Sequence, residues 1–193
     1  MILHQWGLIE YERSRKEMQE VHSQACQDKQ NHLIICSHPN VFTIGSSCKE
    51  IFDVTTLESD RGGSITCHTP GQNIYYFCFQ VTNPARFYKK ILDAFKDFFK
   101  DNLPLVFYDK KNPGFYIENR KIASLGFRYS QGVSLHGVAL NVDVDLAFHN
   151  RVAPCNLQGI KATSLKNEGL NLTQVQVDAY MIEAIQKSFH ETV

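Results

Sequence analysis

Cys155, in the segment Ala153-Pro154-Cys155-Asn156, is the residue best suited to nucleophilic chemistry. Cys36, Cys67 and Cys78 lie in apolar, strand-like runs, where a free thiol behaves as a small hydrophobe. Cys155 follows a polar stretch and reads as a loop residue. A thiolate nucleophile needs a partly exposed, electropositive setting, and therefore a partner. Lys121, in Arg120-Lys121-Ile122-Ala123-Ser124, can supply one. An ammonium beside a thiol favours the thiolate and can then carry its proton. The residues alone leave plainer readings open: a loop cysteine without a role, and a solvated lysine next to Arg120 at a turn. A cysteine protease would pair the thiol with a histidine base. His68, His136 and His149 are available for that, but the local signatures of such proteases are absent. His68 and His136 each end or interrupt a strand, where a structural, hydrogen-bonded histidine is also a reading.

The stretch RGGSITCHTPGQ (61–72) raises a different chemistry. Two glycine-bearing turns bracket a short strand that ends in His68. A phosphate-binding glycine loop usually carries a lysine, and none follows here. The pattern implies a backbone laid close to a ligand, with a histidine at its edge. Strand alternation puts Ser64, Thr66 and His68 on one face and Ile65 and Cys67 on the other. Gly126, Gly132 and Gly137 read as turn or bulge glycines.

Positioning these residues requires a framework that the hydrophobic pattern supplies. Strands are expected at 2–8, 32–36, 64–68, 73–81 and 133–142, with a turn followed by a short strand within 38–45 and a hairpin over 114–129 that bends at Glu118-Asn119-Arg120. The strands at 64–68 and 73–81 are joined by the Thr69-Pro70-Gly71-Gln72 turn. Amphipathic helices are expected over 10–28, from Pro84 to about Asp101, and from about Thr173 to Phe189. Residues 46–60 read as a polar loop and 143–166 as irregular. Strands fill the middle without strict alternation with helices, so the class is α+β, in one domain spanning 1–193.

Composition narrows the function classes. Apolar residues make up 43% of the 193, enough for a real core. Twenty basic residues balance twenty acidic ones, which argues against nucleic-acid binding through bulk charge. No apolar run approaches the roughly 20 residues of a membrane helix, and the N-terminus lacks the pattern of a secretory signal. A cytoplasmic protein with reduced thiols is expected. No two cysteines form a CxxC pair, so no zinc site is expected.

Several blocks together resemble one family. RGGSITCHTPGQ resembles the RGGxxTYHGPGQ signature of the octanoyltransferases, also called lipoate–protein ligase B. KIASLGFR followed by SLHGVALNVDVDL resembles that family's K-I-x-S-L-G-x-R and H-G-x-A-L-N-V blocks. HPNVFTIG resembles its early H-P-x-x-[FY]-T-x-G block, and APCN falls where the family has N-P-C-G. The blocks run in order from about residue 5 to 165.

The resemblance implies a biotin/lipoate protein ligase type of fold, with a mixed β-sheet flanked by helices. It implies transfer of an octanoyl group from octanoyl-acyl carrier protein, through a cysteine thioester, to a lysine of lipoyl domains. The acceptors it implies are the lipoyl domains of 2-oxoacid dehydrogenases and the glycine-cleavage H protein. Cys155 is implied as the acyl-carrying nucleophile and Lys121 as the residue that lowers its pKa and shuttles protons. Arg61, Gly62, Gly63, Ser64, Ile65, Thr66, Cys67 and His68, with Ser124, Leu125, Gly126, Gly137, Val138 and Ala139, are implied to line the acyl site. No cofactor or metal is implied. Three positions depart from the family pattern: Cys67 for Tyr, Thr69 for Gly, and Asn156 for Gly. The rival readings are an ATP-dependent lipoate or biotin ligase, which would need no cysteine nucleophile, and a non-catalytic acyl- or lipoyl-domain-binding relative.

Overall fold

The computed structural model describes residues 1–48, 51–152 and 159–190. The chain order is β1 (Ile2–Leu8), α1 (Tyr11–Asp28), β2 (His32–Ser37), β3 (Val41–Ile44), β4 (Thr56–Glu58), β5 (Ile65–His68), β6 (Gln72–Cys78) and α2 (Pro84–Asn102). It continues with β7 (Phe107–Asp109), β8 (Gly114–Ile117), β9 (Arg120–Ser130), β10 (Val133–Asn141), α3 (Leu146–His149), β11 (Lys161–Ala162) and α4 (Gln174–His190).

One mixed sheet carries the order β1-β2-β6-β10-β9-β8-β7, with β11 added in parallel to the start of β9. Its interior strand β6, between β2 and β10, reads QNIYYFC and is buried along its whole length. Both faces are covered, which is why the run from Ile74 to Cys78 is continuously apolar rather than alternating. Tyr75 and Phe77 face α2 and α4 together with Leu33, Ile91, Phe95 and Met181. Ile74, Tyr76 and Cys78 face α1 through Met18, Val21 and Ala25. Helix α2 starts where the Asn83 side chain accepts from the Arg86 amide at 3.0 Å, with Pro84 in the first turn. Its stripe of Phe87, Ile91, Phe95, Phe98 and Phe99 is buried, worth about 1.5–3 kcal/mol for each large side chain.

A second, three-stranded sheet (β4-β3-β5) has its own small core of Phe42, Ile65, Cys67 and Val152. The strands on either side of the 69–72 turn therefore belong to different sheets: β5 pairs with β3, and β6 with β2 and β10. The stretch expected to be a polar loop at 46–60 contains β4, and the irregular 143–166 contains α3 and β11. These elements are two to four residues long and are held by neighbours distant in sequence, so local pattern does not reveal them.

Candidate active site

A narrow cleft separates the two sheets, with about 490 Å³ of empty space counting its open mouth. One wall is the loop Arg61–Gly63 with Thr66 and His68 of β5. The other is Ser124–Gly126 of β9 and Gly137–Ala139 of β10, and Tyr11, Ile74, Tyr76 and His136 complete the lining. The glycines set how closely the walls approach. A Cβ on Gly126 would lie 3.0 Å from the Gly62 carbonyl oxygen. A Cβ on Gly137 would lie 1.9 Å from the Tyr75 oxygen, so only glycine fits in that strand. His136, just before it, holds φ +62° inside a strand, a strained conformation for a residue with a side chain.

A smaller cavity of about 360 Å³ adjoins the cleft, since Thr66 and Ser124 line both. Lys121 lines it together with Ile65, Cys67, Val152 and Ala162. Lys121 is only 3% exposed, not the solvated turn lysine that the sequence also allowed. Its stem passes over Gly114, where a Cβ would come within 2.5 Å of Lys121 Cε. The ammonium sits 5.3 Å from the Tyr116 ring centroid. Cys155 lies outside the described residues. Val152 and Ala162, described residues on either side of its segment, both line the cavity that holds Lys121.

The expected lining residues thus divide. Arg61, Gly62, Gly63, Thr66, His68, Ser124, Leu125, Gly126, Gly137, Val138 and Ala139 line the cleft. Ile65 and Cys67 line the Lys121 cavity from the opposite face of β5, as alternation implied. Ser64 lines neither, and its hydroxyl donates to Cys48 Sγ at 3.4 Å. Burial pushes the Cys67 thiol up to about 12, with Asp145 adding to the rise, so this cysteine stays protonated at neutral pH. Among the described residues, positive φ outside glycine occurs at Lys29, Glu118, Gln131 and His136. Thr69 therefore holds ordinary backbone, and its buried hydroxyl meets His149 Nε2 at 3.0 Å.

A buried polar network underlies the cleft. His38 Nδ1 donates to the Ile9 carbonyl at 2.8 Å, so its Nε2 accepts from the Tyr76 hydroxyl at 2.9 Å. The Arg61 guanidinium donates through Nη2 to both the carbonyl and the hydroxyl of Thr43 at 2.9 Å. His136 Nε2 donates to Asp60 at 2.6 Å, and Arg128 also pairs with Asp60. Those contacts, His136 foremost, hold the Asp60 carboxyl well below its ordinary pKa. Burial keeps His136 below its own ordinary value although Asp60 pulls the other way. At neutral pH the pair is a neutral imidazole donating to a carboxylate, with Arg128 as counter-charge. Thr43, Gln72 and Asn141 fall at fixed positions of the sequence blocks 38–45, 61–72 and 136–141, but the pattern alone gives them no role. Tyr11 and Asp60 carry no such signal.

Comparison with known proteins gives a consistent picture. Residues 15–186 match the family described as the lipoyl protein ligase A/B catalytic domain. The chain is 31% identical over 195 aligned residues to an octanoyltransferase of Chromobacterium violaceum, covering 96% of this chain and 94% of that protein. It is 36% identical over 182 residues to an octanoyltransferase of Cellvibrio japonicus, covering 88% and 85%. Among solved structures it is similar to lipoate-protein ligase A bound with ATP, with a TM-score of 0.73 at 13% identity, covering 98% of this chain and 85% of that one. At that identity the likeness speaks for the fold alone.

Proposed function

The chain belongs to the octanoyltransferase family, within the lipoyl protein ligase A/B catalytic domains, and on that premise we propose that it moves an octanoyl group from acyl carrier protein to a lipoyl-domain lysine through a thioester on Cys155. The observation that carries this reading is the buried Lys121 in a cavity shared with Val152 and Ala162, which flank the Cys155 segment. An ammonium there favours a nearby thiolate.

In the first half-reaction the Cys155 proton passes to solvent or a nearby base, and the thiolate attacks the donor's thioester carbonyl. A new S–C bond forms, the donor's C–S bond breaks, and the carrier thiolate leaves and takes up a proton. One thioester replaces another, so the step is nearly balanced. In the second, the neutral acceptor amine attacks the Cys155 thioester, a C–N bond forms and the C–S bond breaks. The amine's surplus proton passes by way of Lys121 to the departing thiolate. The cleft would hold the acyl chain, whose transfer from water contributes roughly 5 kcal/mol at about 0.8 kcal/mol per methylene. The acceptors in this reading are lipoyl domains of 2-oxoacid dehydrogenases and the glycine-cleavage H protein, and the setting is the cytoplasm. Among the described residues, no helix is long and apolar enough to cross a membrane.

The test is the intact mass of the protein after incubation with octanoyl-acyl carrier protein, without ATP. One octanoyl group should be gained, lost on neutral hydroxylamine treatment, and absent from Cys155→Ser. Acceptor modification that strictly requires ATP, with no adduct, would instead make it a ligase.

A further inference from the structure

We infer that Gln72 and Asn141 are positioning residues, a relay of two side-chain amides that fixes His68 as the neutral Nδ1–H tautomer and ties it to the strand bearing Lys121. The geometry leaves little choice of orientation. The far end is the Thr163 carbonyl, which can only accept, and Asn141 Nδ2 donates to it at 2.8 Å. Asn141 Oδ1 therefore faces Gln72 and accepts from its Nε2 at 2.8 Å. The same Nε2 reaches a second obligate acceptor, the Cys67 carbonyl, at 3.3 Å. Gln72 Oε1 must then face His68 Nδ1, 2.7 Å away, so Nδ1 carries the proton. His68 Nε2 is left as an acceptor, 3.5 Å from the Thr43 hydroxyl, which already accepts from Arg61.

The surroundings oppose a second proton on His68. Tyr11 stacks on its ring at 5.7 Å and His38 meets it edge-on at 5.4 Å. Burial first, then His38, Arg61 and His149, hold its pKa well below the ordinary value, against only the Gln72 hydrogen bond. The other end of the relay reaches Lys121, because the Thr163 amide donates to the Lys121 carbonyl at 2.9 Å. Gln72 and Asn141 are also direct cross-strand partners, so the two amides lock in register. Resting on the acyl-transfer reading, this makes His68 a hydrogen-bond acceptor beside the cleft and not its acid.

The experiment labels histidines with ¹⁵N and follows His68 from about pH 5 to 8 by long-range ¹⁵N–¹H correlation, identifying its signal by its loss in His68→Gln. The wild type should show Nδ1–H and no titration across that range. Gln72→Glu puts a carboxylate against Nδ1 and should bring the imidazolium into it. In the octanoyl-transfer assay the same variant should lower kcat about tenfold or more while KM for the donor stays within about twofold. Gln72→Met, which can neither donate nor accept, should release His68 to a mixture of tautomers and serves if Gln72→Glu does not fold. An Nε2–H tautomer in the wild type, or a His68 that titrates near its ordinary value, would overturn the assignment. So would a variant that keeps both the wild-type tautomer and kcat. The spectrum is read without substrate, so failure of the acyl-transfer reading would leave the tautomer result standing.

Discussion

Removing the Thr69 hydroxyl tests how the 69–72 turn holds the segment that leads to Cys155. Thr69 is fully buried, and its Oγ1 lies 3.0 Å from Nε2 of His149, itself 5% exposed. Thr69→Val keeps the shape and the backbone preference but leaves that ring nitrogen buried without its partner. An unsatisfied buried polar group costs about 1–3 kcal/mol, so a loss of about 2 kcal/mol is expected. For a chain of this size each kcal/mol moves Tm by roughly 2–4 °C, giving a fall of about 4–8 °C. Urea denaturation at pH 7 should show a lower midpoint with an unchanged slope. His149→Phe removes the stranded nitrogen, so the double variant should lose less than the sum, with a coupling of about 1–2 kcal/mol. A Thr69→Val protein within about 0.5 kcal/mol of wild type, or a strictly additive cycle, would refute the reasoning and make the hydroxyl contact incidental.

Three further outcomes are expected. Burial holds His38, His68, His136 and His149 below the ordinary value of 6.5, His149 at about 4, so they are neutral when folded while the unfolded chain binds protons below 6.5. Stability is then fully present above pH 6.5 and is lost as pH falls toward the folded values, at up to about 1.4 kcal/mol per pH unit for each; denaturant midpoints measured at several pH values check this, and a flat profile down to pH 5 would contradict it. Gly137→Ala, with its Cβ 1.9 Å from the Tyr75 oxygen, must force β6 and β10 apart and should cost about 3 kcal/mol or more, read by thermal melting. Gly114→Ala would meet Lys121 Cε at 2.5 Å and the backbone oxygen of Ala123 at 2.8 Å, so it should displace the Lys121 stem and also strain the β8–β9 pairing, lowering both turnover and Tm.

Much of the framework is legible in the sequence because its signals are local. The Phe87–Phe99 stripe has helical spacing, and IYYFC (74–78) has the continuous apolarity of a strand covered on both faces. The alternation of Thr66 and His68 against Ile65 and Cys67 likewise survives into the structure: the first pair lines the cleft, Ile65 and Cys67 line only the Lys121 cavity, and Thr66 reaches both. What local pattern does not carry is partnership. Nothing in 64–78 says that its two strands part into separate sheets. The burial of Lys121 depends on Gly114, which lies on the opposite strand of the hairpin. Asp60 is one of several acidic residues in a polar stretch until His136 and Arg128 arrive from the other sheet. Thr69 reads as a departure from the family pattern, and only its contact with His149 gives it a purpose.

The two walls of the cleft are far apart along the chain, and that has a consequence for the protein's birth on the ribosome. About seventy residues separate His68 from Ala139. At roughly 5–20 residues per second, the first wall waits about 4–14 s for the second to be made. During that interval β6 has no β10 to pair with, so its edge away from β2 stands open, and the apolar face that α4 helps to cover waits longer still. This is the window in which a nascent chain is most prone to pair with the wrong strand, and in which a chaperone would find most to hold.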